Sequence, residues 1–166
     1  MAASVTTLKV QDDLLIATFH LGNGVFGLDT TLIQEVVMVG ALTPVRHAPE
    51  HVAGIRNLRG RIITVIDLIV RLALGSVEIG PESRILIADW KGEPVGLLVD
   101  RVADAIAVEA DGLEPPPPNL HGVNMQKLLG VFPSGERLAA LLDLTAILGG
   151  EERASAQPLS REQPRG

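Results

Sequence analysis

Short runs of apolar residues, separated by turn-forming residues, recur along most of this chain. In the first half they predict strands at residues 14–19, 25–28, 36–39, 53–58 and 62–66, followed by a short helix at 67–74. In the second half they predict strands at 84–89, 94–99, 102–108, 128–132 and 137–142, followed by a helix at 143–148. Many short strands at nearly even spacing are typical of small β-barrels or sandwiches.

The segment that closes the first half recurs in a weaker copy near the end of the chain. Residues 61–72 read RIITVIDLIVRL, and residues 137–148, which begin 76 positions later, read RLAALLDLTAIL. In each copy an apolar run of strand length ends at an aspartate, whose carboxylate can cap the short helix that follows. We therefore interpret the chain as two related halves.

A fainter correspondence earlier in each half supports this interpretation. A glycine stands six residues before a β-branched residue and eight before an acidic one. These positions are Gly27, Ile33 and Glu35 in the first half, and Gly96, Val102 and Asp104 in the second. The repeat predicts that each half runs strand, hairpin, strand, hairpin, helix.

Composition narrows the class of protein. The chain has 166 residues, 46% of them hydrophobic but only 2% aromatic, which indicates a core of aliphatic strands. A net charge of −6 argues against binding to nucleic acids or anionic membranes, which depends on clustered lysine and arginine. The sequence has no cysteine, so it excludes disulfides and thiol nucleophiles and favours a cytoplasmic protein. No apolar run approaches the roughly 18 residues of a membrane span.

Three patterns suggest chemistry, but each has a simpler explanation. Residues 22–27 match G-x-G-x-x-G, yet the glycines lie between predicted strands, which favours a hairpin over a dinucleotide site. His47 and His51 have the spacing of a helical metal pair, but a proline separates them. Asp67 and Asp143 each follow a strand and precede a short helix, where a capping carboxylate belongs. The sequence thus predicts no catalytic residue, no metal site and no cofactor.

An ordered series of motifs resembles the CheW family. The motifs lie in the region from Leu14 to Leu148 and are FGLD at 26–29, IQEV at 33–36, GIRNLRG at 54–60, VIDL at 65–68, VGLLVD at 95–100, VAD at 102–104 and LLDL at 141–144. The resemblance implies a mainly β fold of two SH3-like five-stranded barrels with short helices, packed with an apolar groove between them. It also implies a non-enzymatic adaptor that couples the cytoplasmic tips of chemoreceptors to the regulatory domain of the histidine kinase CheA.

The resemblance further implies which residues contact the receptor. The family's contact positions fall on Ile33, Glu35, Gly54 and Val102, and its ion pair falls on Glu35 and Arg59. Asn57, in the same polar turn as Arg59, completes the predicted receptor-binding set. Because Ile33 and Val102 are equivalent under the repeat, we expect one apolar side chain from each barrel to line a shared groove.

The expected organisation has three parts. Residues 1–12 form a flexible N-terminus, residues 13–148 the CheW-like region, and residues 149–166 a disordered tail with one bulky apolar side chain. Within the CheW-like region, barrel 1 is predicted at about 13–80 and barrel 2 at about 81–148. The protein is expected in the cytoplasm, associated with receptor arrays at the inner face of the membrane.

Two alternatives remain open at this stage. The first is an adaptor of the same fold that serves a different receptor–kinase array, such as one controlling twitching motility. The second is a small-molecule-binding barrel or an enzyme, which predicts a deep pocket with convergent polar groups.

Overall fold

The computed structural model describes residues 13–76, 78–118 and 120–149. The predicted flexible N-terminus and all but the first residue of the predicted tail lie outside these ranges. The first half forms β1 (Asp13–Leu21), β2 (Gly24–Asp29), β3 (Ile33–Met38), β4 (Val52–Leu58), β5 (Arg61–Asp67) and helix α1 (Leu68–Arg71). The second half forms β6 (Arg84–Trp90), β7 (Glu93–Val99), β8 (Arg101–Glu109), β9 (Leu128–Ser134), β10 (Arg137–Leu142) and helix α2 (Leu144–Leu148).

The ten strands form two five-stranded sheets, and each sheet draws strands from both halves of the sequence. Sheet 1 has the order β8-β1-β2-β10-β9, and sheet 2 has the order β3-β6-β7-β5-β4. The predicted mainly β fold of two SH3-like five-stranded units is confirmed. However, residues 13–80 and 81–148 are not the two barrels, so that assignment of strands is wrong. The boundary near residue 80 separates the two repeats and not the two sheets.

The exchange of strands follows the repeat. If β1 to β5 are equated with β6 to β10, the order of sheet 1 becomes the order of sheet 2. The register agrees as well, because β2 pairs with β10 through Gly27 and Leu141, and β7 pairs with β5 through Gly96 and Val65. A Cβ atom on Gly27 would lie 2.5 Å from Ile16, and one on Gly96 would lie 2.8 Å from the equivalent Ile85. The internal duplication predicted from sequence is therefore present in the structure.

Three apolar clusters stabilise this arrangement. The largest lies between the sheets and contains residues of both, among them Phe19, Phe26, Leu86, Leu97 and Leu142. One smaller cluster fills the interior of sheet 1 and another fills the interior of sheet 2. Burying one such leucine or phenylalanine is worth about 1.5–3 kcal/mol, so the shared cluster binds the two sheets firmly to each other.

The local signals in the sequence correspond to local structures. The Gly22-Asn23 pair forms the β1–β2 hairpin, in which Leu21 pairs with Gly24. Asp67 caps α1 by accepting hydrogen bonds from the amides of Ile69 and Val70. Asp143 caps α2 by accepting one from Ala146. The hairpin and both capping predictions are confirmed.

Strand β3 begins earlier than the sequence predicts. Residues 31–35 read as a polar turn, but the strand starts at Ile33, directly after the 3₁₀ turn Thr30–Leu32. The adjacent polar residues Gln34 and Glu35 interrupt the apolar–polar alternation, which is why the pattern concealed the start of the strand. A β-bulge also shifts the register of β3 between Ile33 and Glu35. Glu35 is consequently part of an edge strand and not of a turn.

Candidate functional site

The turn between β4 and β5 holds the polar residues that the sequence singled out. Leu58 pairs with Arg61, and the two residues between them, Arg59 and Gly60, have φ values of 51° and 87°. Positive φ at both central positions is the requirement of a type I′ hairpin turn. The amide of Gly60 donates a hydrogen bond of 2.9 Å to Asn57 Oδ1. Asn57 thus fixes the turn that presents Arg59.

Arg59 and Glu35 form the ion pair predicted from sequence, through Arg59 Nη2 and Glu35 Oε2. The pair is open to solvent, because the Arg59 side chain is 66% exposed and that of Glu35 is 37% exposed. Glu35 pairs with Ile87, whose side chain lies inside sheet 2, so the carboxylate leaves β3 on the inner face of that sheet. The ion pair therefore spans the gap between the β3 and β4 edges.

We call this gap the sheet 2 seam, defined as the space between edge strands β3 and β4. Two further contacts cross it. Thr43, just after β3, exchanges backbone hydrogen bonds of 2.9 and 2.8 Å with Ile55 of β4. Arg56 Nη1 donates a hydrogen bond of 2.7 Å to the carbonyl oxygen of Met38, the last residue of β3. A backbone pair, a side-chain hydrogen bond and an ion pair thus draw the edges of the sheet together.

Gly54 lies beneath the segment that crosses the seam. The residue is buried, and a Cβ atom there would come within 2.7 Å of the Thr43 carbonyl oxygen. Its φ of 151° also disfavours any residue with a side chain. The backbone that approaches Gly54 is that of its own chain, and the register also shifts between Val52 and Gly54. The glycine is accordingly required to close sheet 2.

Ile33 and Val102 occupy equivalent places on the two sheets. Ile33 pairs with Ala88 on sheet 2, and Val102 pairs with Phe19 on sheet 1. Both side chains are half-buried and pack against the cluster between the sheets. This cluster fills the space between the sheets, so the two residues lie at its margin. The shared groove that they were expected to line stays a prediction.

The structure thus places the predicted residues in two groups. Glu35 and Arg59 are in contact, Asn57 shapes the turn beside them, and Gly54 lies below the same seam. Ile33 lies on the same edge strand as Glu35, whereas Val102 belongs to the other sheet.

Sequence reasoning assigned no role to Arg56 or to the exposed apolar residues of β3. Val36 and Met38 are 46% and 66% exposed. The repeat does mark Arg56 as unusual, because the equivalent residue of the second half is Phe132. A charged residue where the other half has a buried aromatic residue indicates that this position has a different role in sheet 2.

A second polar group lies where β1 meets β8. Arg101 Nη2 lies 3.1 Å from His20 Nε2, and the amide of Gly22 donates a hydrogen bond of 2.7 Å to Asp100 Oδ2. Burial, followed by the positive charge of Arg101, lowers the pKa of His20 from its usual value. At neutral pH the imidazole is therefore held in its uncharged form.

The environment of Asp67 also shifts its protonation. Partial burial raises the pKa of Asp67, and the hydrogen bonds from Val70 and Ile69 oppose that effect. Among residues 13–76, 78–118 and 120–149, no group of three or more His, Cys, Asp or Glu side chains is arranged to hold a metal ion. Nor does any helix in those ranges have the length and apolar character needed to span a bilayer.

Comparison with known proteins agrees with the duplicated SH3-like architecture. The CheW-like domain model matches residues 16–152, and the chain belongs to this family. A chemotaxis protein CheW of Klebsiella aerogenes is 31% identical over 157 residues, which cover 93% of this chain and 95% of that protein. The crystal structure of the scaffolding protein TtCheW from Thermoanaerobacter tengcongensis has a TM-score of 0.77 at 32% identity, covering 84% of this chain and 90% of that one.

The similarity extends to a relative with a different name. Protein FrzA of Myxococcus xanthus is 28% identical over 99 residues, which cover 60% of this chain and 62% of FrzA.

Proposed function

We propose that this chain is a non-enzymatic adaptor that couples the cytoplasmic tips of chemoreceptors to the regulatory domain of the histidine kinase CheA. Membership of the CheW-like family supports the proposal, as do relatives named chemotaxis proteins and a structural neighbour described as a scaffolding protein. In this role the protein works in the cytoplasm, within receptor arrays at the inner face of the membrane. Receptor state then controls kinase autophosphorylation through the assembled complex.

The observation that carries the proposal is the exposed ion pair between Glu35 and Arg59, held on a hairpin turn of type I′. An exposed ion pair contributes only about 0–1 kcal/mol, so stability alone does not account for this contact. A charged pair kept in this way on a rigid sheet edge favours a role in recognition, where charge sets partner choice and orientation.

The proposed receptor-binding residues are Ile33, Glu35, Gly54, Asn57, Arg59 and Val102. The structure suggests three kinds of contribution. Glu35 and Arg59 offer charge, and Ile33 and Val102 offer apolar surface to one face of a receptor helix. Asn57 and Gly54 act indirectly, because one fixes the turn and the other allows the seam to close.

A three-component assay tests the proposal. Purified chain, a cognate receptor signalling fragment and CheA are mixed, and kinase autophosphorylation is measured with each component omitted in turn. The proposal predicts a rise in autophosphorylation that requires all three components. An unchanged rate with a folded chain and active kinase would refute this pairing of partners.

Similarity to FrzA favours one alternative, an adaptor of the same fold in a different receptor–kinase array. The same assay with the receptor and kinase of that array separates the two functions. Activation in that array alone would assign the chain to the other output, such as twitching motility.

A further inference from the structure

Arg56 occupies a position that the second half of the chain fills with a core residue, Phe132. It pairs with Ile63, whose side chain is buried inside sheet 2, so Arg56 leaves β4 on the same inner face. In the second half the equivalent pair is Phe132 and Ala139, both buried inside sheet 1. The arginine thus points toward the interior of its sheet, and it needs a polar partner there.

The partner is the end of the facing edge strand. Arg56 Nη1 donates a hydrogen bond of 2.7 Å to the carbonyl oxygen of Met38. A Cβ atom on Gly40, two residues further along, would lie 3.0 Å from Arg56 Nε and 3.2 Å from Cζ. Gly40 also has a φ of 63°, which suits glycine. The chain therefore leaves β3 along a path that makes room for the guanidinium group.

This contact and the ion pair link the same two elements of sheet 2. Glu35 stands three residues before Met38 on β3, and Arg59, in the turn that follows β4, stands three residues after Arg56. The hydrogen bond from Arg56 thus joins β3 to the β4–β5 hairpin, and these two elements carry the two partners of the ion pair. If it is lost, β3 keeps its ladder to β6 but loses one of its links to β4.

We infer that Arg56 is a positioning residue, which ties the end of β3 to β4 and so aligns Glu35 with Arg59 for partner binding. The inference deepens the proposed function and rests on it for the binding effect. The alignment itself does not depend on any partner.

Nuclear magnetic resonance of the free protein tests the alignment. The guanidinium signals of Arg59 are compared in wild type, Glu35→Gln, Arg56→Gln and Arg61→Gln, the last being an exposed arginine on the same hairpin and the matched control. We expect Arg56→Gln to move the Arg59 signals toward their values in Glu35→Gln, whereas Arg61→Gln leaves them in place. Arg59 signals unchanged by Arg56→Gln, in a protein whose backbone spectrum is otherwise native, would overturn the inference.

Titration with the receptor signalling fragment tests the consequence for binding. Loss of one hydrogen bond from a charged group predicts that Arg56→Gln weakens binding by about tenfold. Arg56→Lys, which can still donate to Met38, should recover part of that affinity. In a Glu35→Gln background, Arg56→Gln should reduce the affinity little further, because the ion pair that Arg56 aligns is already absent.

The NMR comparison and the binding titration distinguish failure of the proposed function from failure of the inference about Arg56. If the wild-type chain does not bind the fragment, the proposed function fails, and the Arg59 signals still decide the role of Arg56. If the fragment binds and the effects of Arg56→Gln and Glu35→Gln are fully additive, Arg56 acts independently of the pair and the inference is wrong.

Discussion

The sheet 2 seam has a counterpart in sheet 1, the space between edge strands β8 and β9. The two seams share one backbone arrangement but carry different side chains. In each seam a segment after the third strand of a half crosses to the fourth strand and forms one backbone pair, Thr43 with Ile55 in sheet 2 and Glu114 with Val131 in sheet 1. In each, a buried glycine lies beneath the crossing. These glycines are Gly54 and Gly130, and they are equivalent under the repeat.

The seams differ at the residues that reach across them. Where sheet 2 has Arg56, Asn57 and Arg59, the equivalent positions of sheet 1 are Phe132, Pro133 and Gly135. Phe132 is buried in the interior of sheet 1, so this seam is filled by apolar contact. The elements that both copies keep are those the fold requires. The polar set present in one copy alone is the better candidate for recognition, since loop and edge residues are freer to diverge than the core.

The largest effect is expected from separating the halves. Sheet 2 places β6 and β7 between β3 and β5, so residues 1–80 alone cannot form either sheet. We expect fragments 1–80 and 81–166 to lack cooperative unfolding when alone and to form a folded one-to-one complex when mixed. Circular dichroism with sedimentation analysis measures both states. A fragment that unfolds cooperatively as a monomer would show that the halves are independent domains.

The two seam glycines offer a finer test of the shared backbone. A Cβ atom at Gly54 would meet the Thr43 carbonyl oxygen at 2.7 Å, whereas one at Gly130 would meet that of Glu114 at 3.0 Å. Because Gly54 also has a φ of 151°, we expect Gly54→Ala to cost roughly 2–4 kcal/mol of unfolding free energy and Gly130→Ala clearly less. Urea unfolding of both variants measures the difference. Equal losses would contradict the geometry assigned to Gly54.

The helix cap of the first half is expected to respond to pH. Burial raises the pKa of Asp67 above the usual value for an aspartate, so the folded state binds this proton more tightly than the unfolded state does. The stability that Asp67 contributes is present below that value and is lost as pH rises through the folded-state pKa.

As pH rises from acid to neutral, the unfolding free energy of Asp67→Asn should therefore increase relative to that of wild type. Asparagine caps helices well and stays uncharged over this interval. The measurement is the unfolding free energy of both proteins across that interval. A constant difference between them would show that burial does not affect this carboxylate.

The sequence predicted most elements because their signals are local. Apolar runs, the Gly22-Asn23 turn and the aspartates at 67 and 143 each act through residues a few positions away. The exchange of strands could not be predicted, because a repeat shows which strands are equivalent and not which copy they pair with. The start of β3 at Ile33 was concealed for a different reason, since the adjacent polar residues Gln34 and Glu35 interrupt the period of two on which strand prediction depends.

The same distinction applies to the candidate site. Contact between Glu35 and Arg59 was predicted from family resemblance, and the structure confirms the contact. The hydrogen bond of Arg56 joins residues 18 positions apart across two sheet edges, so no local pattern could have predicted it. The arginine at the place of Phe132 was visible in the repeat, although its partner was not.

The central claim is that the polar seam of sheet 2 carries the coupling function. Its most direct test is receptor-dependent CheA autophosphorylation with the wild-type chain, Arg59→Glu and Arg61→Glu, the last being an equal charge change two residues away. The account predicts that Arg59→Glu folds normally and abolishes coupling, that Arg61→Glu retains it, and that Glu35→Arg combined with Arg59→Glu restores part of it. Full coupling by Arg59→Glu would contradict the account.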